Sequence, residues 1–422
     1  MRSPVRLLAF VVAAVFVILA IRGRQAQPQT QKQPVIQQHA GAGHRPAAPA
    51  ADKAAEKAPA AKSHGGWGGS YLHKAADKRL TGQLDRASKA SPLMKCTGDL
   101  HIFKLSADEL GRLNDGAAAN RSTLGPMITG TAYRMPCRYE SETEAAATLK
   151  DSCCPQTVNF RLGTTDFKVF QQVFQYHYMR YLYTLFAEEP PQYILDAGAN
   201  AGFSSMLFKL LWPNATVVSL EPDPSNFAML KANTKQFKGV HALNAGLWSH
   251  AANITVTTTE HGNWGRVFRE AGEGERGMPA YSVQDLATLL SIPAFDLVKI
   301  DIEGAEGMVF APGGDFSWIS EAKVVSMEIH DYFGSYFGLE QDQVSRRVDA
   351  AFNTTGYQIA SDNEHVMYIQ PQHMEAVAAV LTKHAAEAAA AARAVAKERA
   401  AAFTAKKEAA AAAAAAKADQ AP

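Results

Sequence analysis

From Tyr193 onward, short apolar runs alternate with stretches of helical periodicity, and this alternation constrains the fold of the 422-residue chain more than any other feature. Tyr193-Ile194-Leu195, Thr216–Leu220, Val240–Leu243, Phe295–Ile300 and Val324–Ile329 read as strands. Phe203–Leu211, Pro224–Thr234, Ser282–Leu290 and Gln341–Asn353 read as the helices between and after them. Strands separated in this way build a parallel sheet joined by right-handed crossovers. Two last runs, Tyr357–Ala360 and His365–Ile369, are linked by the turn-rich Ser361-Asp362-Asn363-Glu364. They read as a hairpin that adds an antiparallel strand at the sheet edge. The expectation is an α/β, Rossmann-like fold with a mostly parallel sheet.

The first strand runs into Asp196-Ala197-Gly198-Ala199-Asn200-Ala201-Gly202 and then into a helix. A doubly wound sheet binds its ligand at such a turn. Gly198 and Gly202 allow a sharp turn and close approach of the backbone to a ligand. The spacing is D-x-G-x-N-x-G, not the G-x-G-x-x-G that cradles a pyrophosphate at bare helix amides. A carboxylate at Asp196 suits a ligand with cationic groups, and S-adenosylmethionine carries an amino group and a sulfonium. Glu221 ends the second strand, where an acidic side chain accepts hydrogen bonds from both ribose hydroxyls. Asp223 reads as a helix cap. Asn244, at the end of the third strand, is placed to flank the adenine.

A second cluster follows the fourth and fifth strands: Asp301, Glu303, Gly304 and Glu306, then Glu328 and His330. A hydroxyl becomes a good nucleophile when its proton is accepted by a positioned base. His330 or Glu303 fills that role, with Asp301 positioning the acceptor. A divalent metal held by these carboxylates is the alternative, which we do not favour from sequence. Glu303 and Glu306 at a helix N-terminus, with His330 bonded to backbone, would be the purely structural role of the same residues.

Read in order, Y-I-L-D-A-G-A-N-A-G-F-S-S, V-V-S-L-E-P-D-P-S-N-F-A-M-L, H-A-L-N-A-G-L-W, V-K-I-D-I-E-G-A-E and V-V-S-M-E-I-H resemble the FkbM family of S-adenosylmethionine-dependent methyltransferases over about residues 157–370. The upstream D-F-K-V-F-Q-Q-V-F is similar to that family's lead-in. The resemblance implies the class I methyltransferase fold, a bound S-adenosyl-L-methionine and methylation of a hydroxyl oxygen, often on a sugar or natural product. Val283-Gln284-Asp285-Leu286 and Ala311-Pro312-Gly313-Gly314 depart from the family's pattern on the acceptor side.

Outside this region the chain changes character. Leu7–Ile21 is an unbroken apolar run of 15 residues flanked by Arg2, Arg6, Arg22 and Arg24. It reads as a signal anchor, residues 1–24, with a cleaved signal peptide as the alternative. Residues 25–90 read as a disordered stem, 91–190 as an N-terminal cap and lead-in, 191–371 as the cofactor-binding domain and 372–422 as an Ala-rich helical tail outside the catalytic fold. Residues 22–90 carry 12 Lys/Arg against 4 Asp/Glu, whereas residues 91–371 carry 21 against 32. An acidic core of this kind repels nucleic acid. The four cysteines, Cys96, Cys137, Cys153 and Cys154, match no zinc spacing and allow three disulfide pairings. Sequons at Asn120, Asn214, Asn253 and Asn353 accord with a lumenal location. The functional expectation is an O-methyltransferase of a glycan or glycoconjugate, membrane-anchored as a single-pass type II protein in the Golgi or endoplasmic reticulum. Alternatives are methylation of a small hydroxylated metabolite or lipid, and a non-catalytic binding module.

Overall fold

The alternation closes into one seven-stranded sheet. The computed structural model describes residues 75–96, 99–101, 127–137, 152–261, 265–362 and 364–418. The chain begins with helix α1 (Lys78–Ala90), strands β1 (Asp99–His101), β2 (Met127–Cys137) and β3 (Ser152–Arg161), and helices α2 (Asp166–Phe170) and α3 (Tyr181–Leu185). There follow β4 (Tyr193–Ala197), α4 (Phe203–Leu211), β5 (Thr216–Leu220), α5 (Pro224–Thr234), β6 (Val240–Leu243), β7 (Gly246–Leu247), β8 (Ala252–His261), β9 (Gly265–Glu270) and β10 (Met278–Tyr281). The remainder comprises α6 (Val283–Leu290), β11 (Leu297–Ile300), α7 (Glu306–Val309), β12 (Val324–Glu328), α8 (Gln343–Phe352), β13 (Gln358–Asp362), β14 (His365–Ile369) and α9 (Pro371–Ala418).

The main sheet has the order β13-β14-β12-β11-β4-β5-β6, parallel from β12 to β6, with β14 antiparallel to both its neighbours. This differs in one detail from the sequence expectation. The antiparallel strand is inserted second from the edge, and β13 forms the edge itself. The reason lies in the side chains: all five residues of β14 are buried, whereas β13 is exposed at Gln358 and buried only at Ala360 and Asp362. A strand buried on both faces belongs inside a sheet. Alternate residues along the strands feed two cores. Ile194, Val217, Leu297 and Val324 join one core with α4 and α1. Leu195, Val218, Val298 and Val325 join the other with α6 and α8. The departure at Val283–Leu286 has a local explanation: Asp285 completes a capping box with Ser282 and starts α6.

Two terminal expectations need correction. Helix α1 falls within the stretch read as stem, yet Leu80, Leu84 and Ala87 are buried in the core. They recur at i, i+4 and i+7, a single helical stripe that the composition of residues 25–90 conceals. The tail is helical as expected, but one face of its first turns is part of the fold: Met374, Val377, Val380 and Leu381 are buried. Cys96 and Cys153 form a disulfide joining the turn after α1 to β3, and Cys154 is also disulfide-bonded. The expected anchor, the stem before residue 75 and Asn120 lie outside the described residues. Among the described residues, no helix is long and apolar enough to cross a membrane.

Two structures that the alternation did not reveal matter for the site. β7, β10, β8 and β9 form a small sheet of their own, inserted between β6 and α6. The segment before β4 packs against α5 through polar contacts. Asn159 and Asn233 exchange backbone and side-chain hydrogen bonds of 2.7 and 3.1 Å, and Asn233 also donates to Ala201 O at 2.8 Å. Arg161 grips Asp166 with two nitrogens and reaches Asn226 at 2.8 Å. These contacts hold the lead-in, including a single π-helical turn at Gln171–Gln175, over the carboxyl ends of the strands.

Candidate active site

The carboxyl ends of β4, β5, β11 and β12 open into a cleft of about 1180 Å³, its open mouth included. The small sheet contributes Trp248, Arg266 and Phe268 to its wall, and the lead-in contributes Gln172, Tyr178 and Met179.

One end of the cleft is built from backbone. Gly198 has φ +76°, and a Cβ there would lie 1.7 Å from the carbonyl oxygen of Asp301. The loop after β4 therefore passes against the loop after β11 with no room for a side chain. Gly202, at φ +88°, starts α4. Asn200 between them is also left-handed, at φ +50°. Its amide donates to Glu221 Oε2 at 2.9 Å, and the Asp223 amide donates to Glu221 Oε1 at 2.8 Å. Each oxygen keeps acceptor capacity toward the cleft that Glu221 lines. Burial pushes the Glu221 carboxyl up to about 7 despite these two amides. Asn200 also lines the cleft, and its Oδ1 is buried without a partner in the protein. Leu220, Ala245 and Leu247 add an apolar slot. Two free acceptor groups beside an apolar slot fit the ribose, amino group and adenine of S-adenosylmethionine.

Not every residue singled out in this half faces the ligand. Asp196 is fully buried, and its Oδ2 accepts hydrogen bonds of 2.6 Å from both Ser204 and Ser205. Its carboxylate ties strand to helix rather than lining the cleft. Asn244 donates to the carbonyls of Glu221 and Pro222 at 2.8 and 2.9 Å, stapling the ends of β6 and β5 together. Asp223 caps α5 and pairs with Arg266 of the small sheet at 2.5 Å. Lys299 escaped the sequence reading. It sits in the fully buried β11 and donates to Gly198 O at 2.8 Å, with Asp196 at 3.4 Å and Asp301 at 3.3 Å. A lysine inside an otherwise apolar parallel strand is the signal that marks it, because such a charge is buried only with partners.

The other end is built from side chains. Asp301, Glu303, Glu328 and Glu364 line it, the last from the closing hairpin. Glu303 is held at φ +56° and Gly304 at φ +93°, where a Cβ on Gly304 would meet Phe333 at 2.4 Å. His330 lies behind Glu303 at 2 % exposure. Its Nδ1 bonds Glu306 Oε1 at 2.9 Å, and that oxygen also accepts from the Ile302 amide at 3.1 Å. Its Nε2 stands 3.4 Å from Glu328 Oε1 and 3.6 Å from Glu303 Oε2. Burial alone would lower the His330 pKa, but Glu306 and Glu303 outweigh it and hold the imidazole well above its ordinary value. Burial raises Glu303 well above the usual carboxylate range, against the pull of His330. Burial also acts to raise Asp301, yet the Lys299 ammonium brings it below its usual value. Glu364 is pushed up to about 7 by burial and by Glu328.

Of the residues singled out, the structure thus brings Gly198, Asn200, Glu221, Asp301 and Glu303 to the cleft. It sets Asp196, Gly202 and Asn244 beneath the first end and His330 behind the second.

This sheet order, with an acidic strand end in each half of one cleft, defines a Rossmann-like class I methyltransferase fold. Residues 196–368 match the family described as the Methyltransferase FkbM domain, a span that runs from the carboxylate of the cofactor loop into β14. That span carries the pattern of a methyltransferase domain of the FkbM family. It is 24% identical over 168 residues to Methyltransferase 1 of Beauveria bassiana, covering 34% of this chain and 67% of that protein. It is 37% identical over 68 residues to Methyltransferase sdnD of Sordaria araneosa, covering 15% of this chain and 26% of the relative. The chain therefore spans about two thirds of one relative and a quarter of the other. Among solved structures, a putative caffeoyl-CoA O-methyltransferase from Staphylococcus aureus aligns with a TM-score of 0.30 at 14% identity, over 48% of this chain and 90% of that one.

Proposed function

We propose that the chain methylates a hydroxyl oxygen of a glycan or glycoconjugate, with Glu303 as general base. The observation that carries this reading is the placement of Glu303 in the cleft with His330 and Glu306 in line behind it. S-adenosylmethionine supplies a methyl group made electrophilic by its sulfonium. Glu221, Asn200 and the Gly198 turn hold that cofactor, and Asp301 orients the acceptor hydroxyl. As the acceptor oxygen bonds the methyl carbon, the carbon–sulfur bond breaks, its electron pair stays on sulfur, and the hydroxyl proton passes to Glu303. A carboxyl of raised basicity suits this step near neutral pH, and alignment of the reacting groups supplies much of the rate. His330, itself bonded to Glu306, backs the Glu303 carboxyl and fixes its position in the cleft.

The surroundings favour a neutral polyhydroxylated acceptor. Asp301, Glu303, Glu328 and Glu364 repel phosphate, sulfate and carboxylate groups and accept hydrogen bonds from hydroxyls. Tyr178 lines the cleft, and Tyr332, 5.8 Å from the His330 ring, remains 58% exposed. Such aromatic faces cover the apolar side of a sugar ring while their hydroxyls stay wet. A secretory location is supported by the disulfides, by the apolar run Leu7–Ile21, and by the exposure of Asn214, Asn253 and Asn353, the sequons among the described residues.

The test is incubation of the full chain with methyl-labelled S-adenosylmethionine and a pool of neutral glycans, with Glu303→Gln in parallel. Label in glycan hydroxyls, lost in the variant, is the expected result. Label confined to lipid or small metabolites would overturn the glycan assignment, and equal labelling by the variant would overturn Glu303 as the base.

A further inference from the structure

We propose that Asp301, Glu328 and His330 bind a divalent cation of the Mn²⁺ type at the acceptor end of the cleft. The inference deepens the acceptor-site reading above and rests on it for the ion's role, though not for its binding.

One donor atom from each of the three residues lies within 4.8 Å of the others. Ligand atoms about 2.1 Å from an octahedral ion stand about 3.0 Å apart when adjacent and about 4.2 Å when opposite, so a slight contraction closes a shared sphere. The three residues come from the ends of two neighbouring strands, β11 and β12, which fixes their separation.

His330 supplies an independent argument. It is 2% exposed, and its Nε2 is turned toward two carboxylates, Glu328 and Glu303. The oxygens it faces stand at 3.4 and 3.6 Å, beyond the roughly 2.7–3.2 Å of an N–H···O hydrogen bond. The Glu328 oxygen at this distance from a buried ring nitrogen has the spacing of adjacent ligand atoms around one ion. The other nitrogen is already committed: Nδ1 bonds the fully buried Glu306, itself braced by the Ile302 amide. A carboxylate on the far nitrogen of a metal-ligating histidine fixes the tautomer and raises the ring's basicity.

Charge balance points the same way. Four carboxylates line this end, and Lys299 is shared between Asp196 and Asp301. Two carboxylates and one imidazole form a mixed oxygen–nitrogen donor set that suits Mn²⁺, with Zn²⁺ and Mg²⁺ as its nearest competitors. An ion here lowers the pKa of an acceptor hydroxyl bound to it, and Glu303 alongside takes the proton.

The experiment uses the full chain, treated with chelator and dialysed, then titrated with MnCl₂ by calorimetry and by the electron paramagnetic resonance of free Mn²⁺. One ion per chain is expected. Glu328→Gln and His330→Gln should weaken it at least tenfold, and Glu306→Gln about tenfold through the histidine. S-adenosylhomocysteine should still raise the Tm of each variant, which shows that the fold and cofactor pocket survive. Chelation should abolish methyl transfer and Mn²⁺ should restore it. The proposal is overturned if the wild-type chain takes up none of MnCl₂, ZnCl₂ and MgCl₂ at millimolar concentration, or if Glu328→Gln binds Mn²⁺ like the wild type. Uptake of Mn²⁺ by a chain that ignores S-adenosylhomocysteine would uphold the ion site and sink the methyl-transfer reading instead.

Discussion

The two ends of the cleft reach the same kind of chemistry, carboxylates presented to a ligand, by different means. At the cofactor end each carboxylate is pinned by its own neighbourhood. Glu221 is held by two backbone amides and Asp196 by two serine hydroxyls. At the acceptor end the carboxylates are set against one another and against a histidine, and their positions depend on β11, β12 and the closing hairpin together. A site built from backbone tolerates little change and gives a fixed grip. A site built from opposed side chains stores charge that a proton, an ion or a substrate can neutralise. Binding and turnover should therefore separate cleanly by mutation.

The largest separation is expected from Glu303→Gln. It should lower kcat by about 10²–10⁴-fold while leaving the Kd for S-adenosylhomocysteine unchanged, measured by label transfer and calorimetry on the same preparation. Gly198→Ala should do the reverse kind of damage. Its Cβ meets the Asp301 carbonyl at 1.7 Å, so the loop must move or the fold must yield, at a cost of about 3 kcal/mol by chemical denaturation and with loss of cofactor binding.

The pH dependence of binding sharpens the comparison. Burial raises Glu221 from 4.5 to about 7 in the free chain, so below pH 7 the group is increasingly neutral. The ribose hydroxyls donate to the ionised form, and protonation replaces an acceptor with a donor. Affinity for S-adenosylhomocysteine should thus be highest above pH 7 and fall by up to about tenfold per unit below it. Glu221→Gln should flatten that profile at low affinity. The sign for the unliganded fold is the opposite: the neutral carboxyl contributes stability that is fully present below about pH 4.5 and lost as pH rises through about 7. The smallest effect should come from Asn244→Ala, which removes two hydrogen bonds to the backbone around Glu221. A few-fold loss of cofactor affinity and about 1 kcal/mol of stability are expected.

The same contrast explains what the sequence discloses. The cofactor end is legible because its geometry is imposed by residue type: a left-handed turn against another backbone demands Gly198, and the strand end places Glu221. Even there, chain order does not reveal which way a side chain turns, so Asp196 reads as a ligand residue although its partners are Ser204 and Ser205. The acceptor end is legible only as a list. That His330 stands behind Glu303, and that Glu364 arrives from the hairpin, follows from strand order in space. β14 takes its inner place because all five of its residues are apolar enough or paired enough to be buried, a packing outcome that local pattern does not encode. The small sheet has its own signals, the β-branched run Ile254–Thr258 and the Gly262-Asn263 pair before β9, but they lie outside the strand–helix alternation from which the main sheet is read. In α1, Leu80 and Leu84 were hidden by averaging over a polar, Ala-rich stretch.

The central claim is that one end of this cleft grips S-adenosylmethionine and the other performs the transfer. Calorimetric titration of S-adenosylhomocysteine into the wild-type chain, Glu221→Ala and Glu303→Gln tests it most directly. The account predicts equal affinity for the wild type and Glu303→Gln and no measurable binding to Glu221→Ala. Absence of binding to the wild type, or undiminished binding to Glu221→Ala, would contradict it.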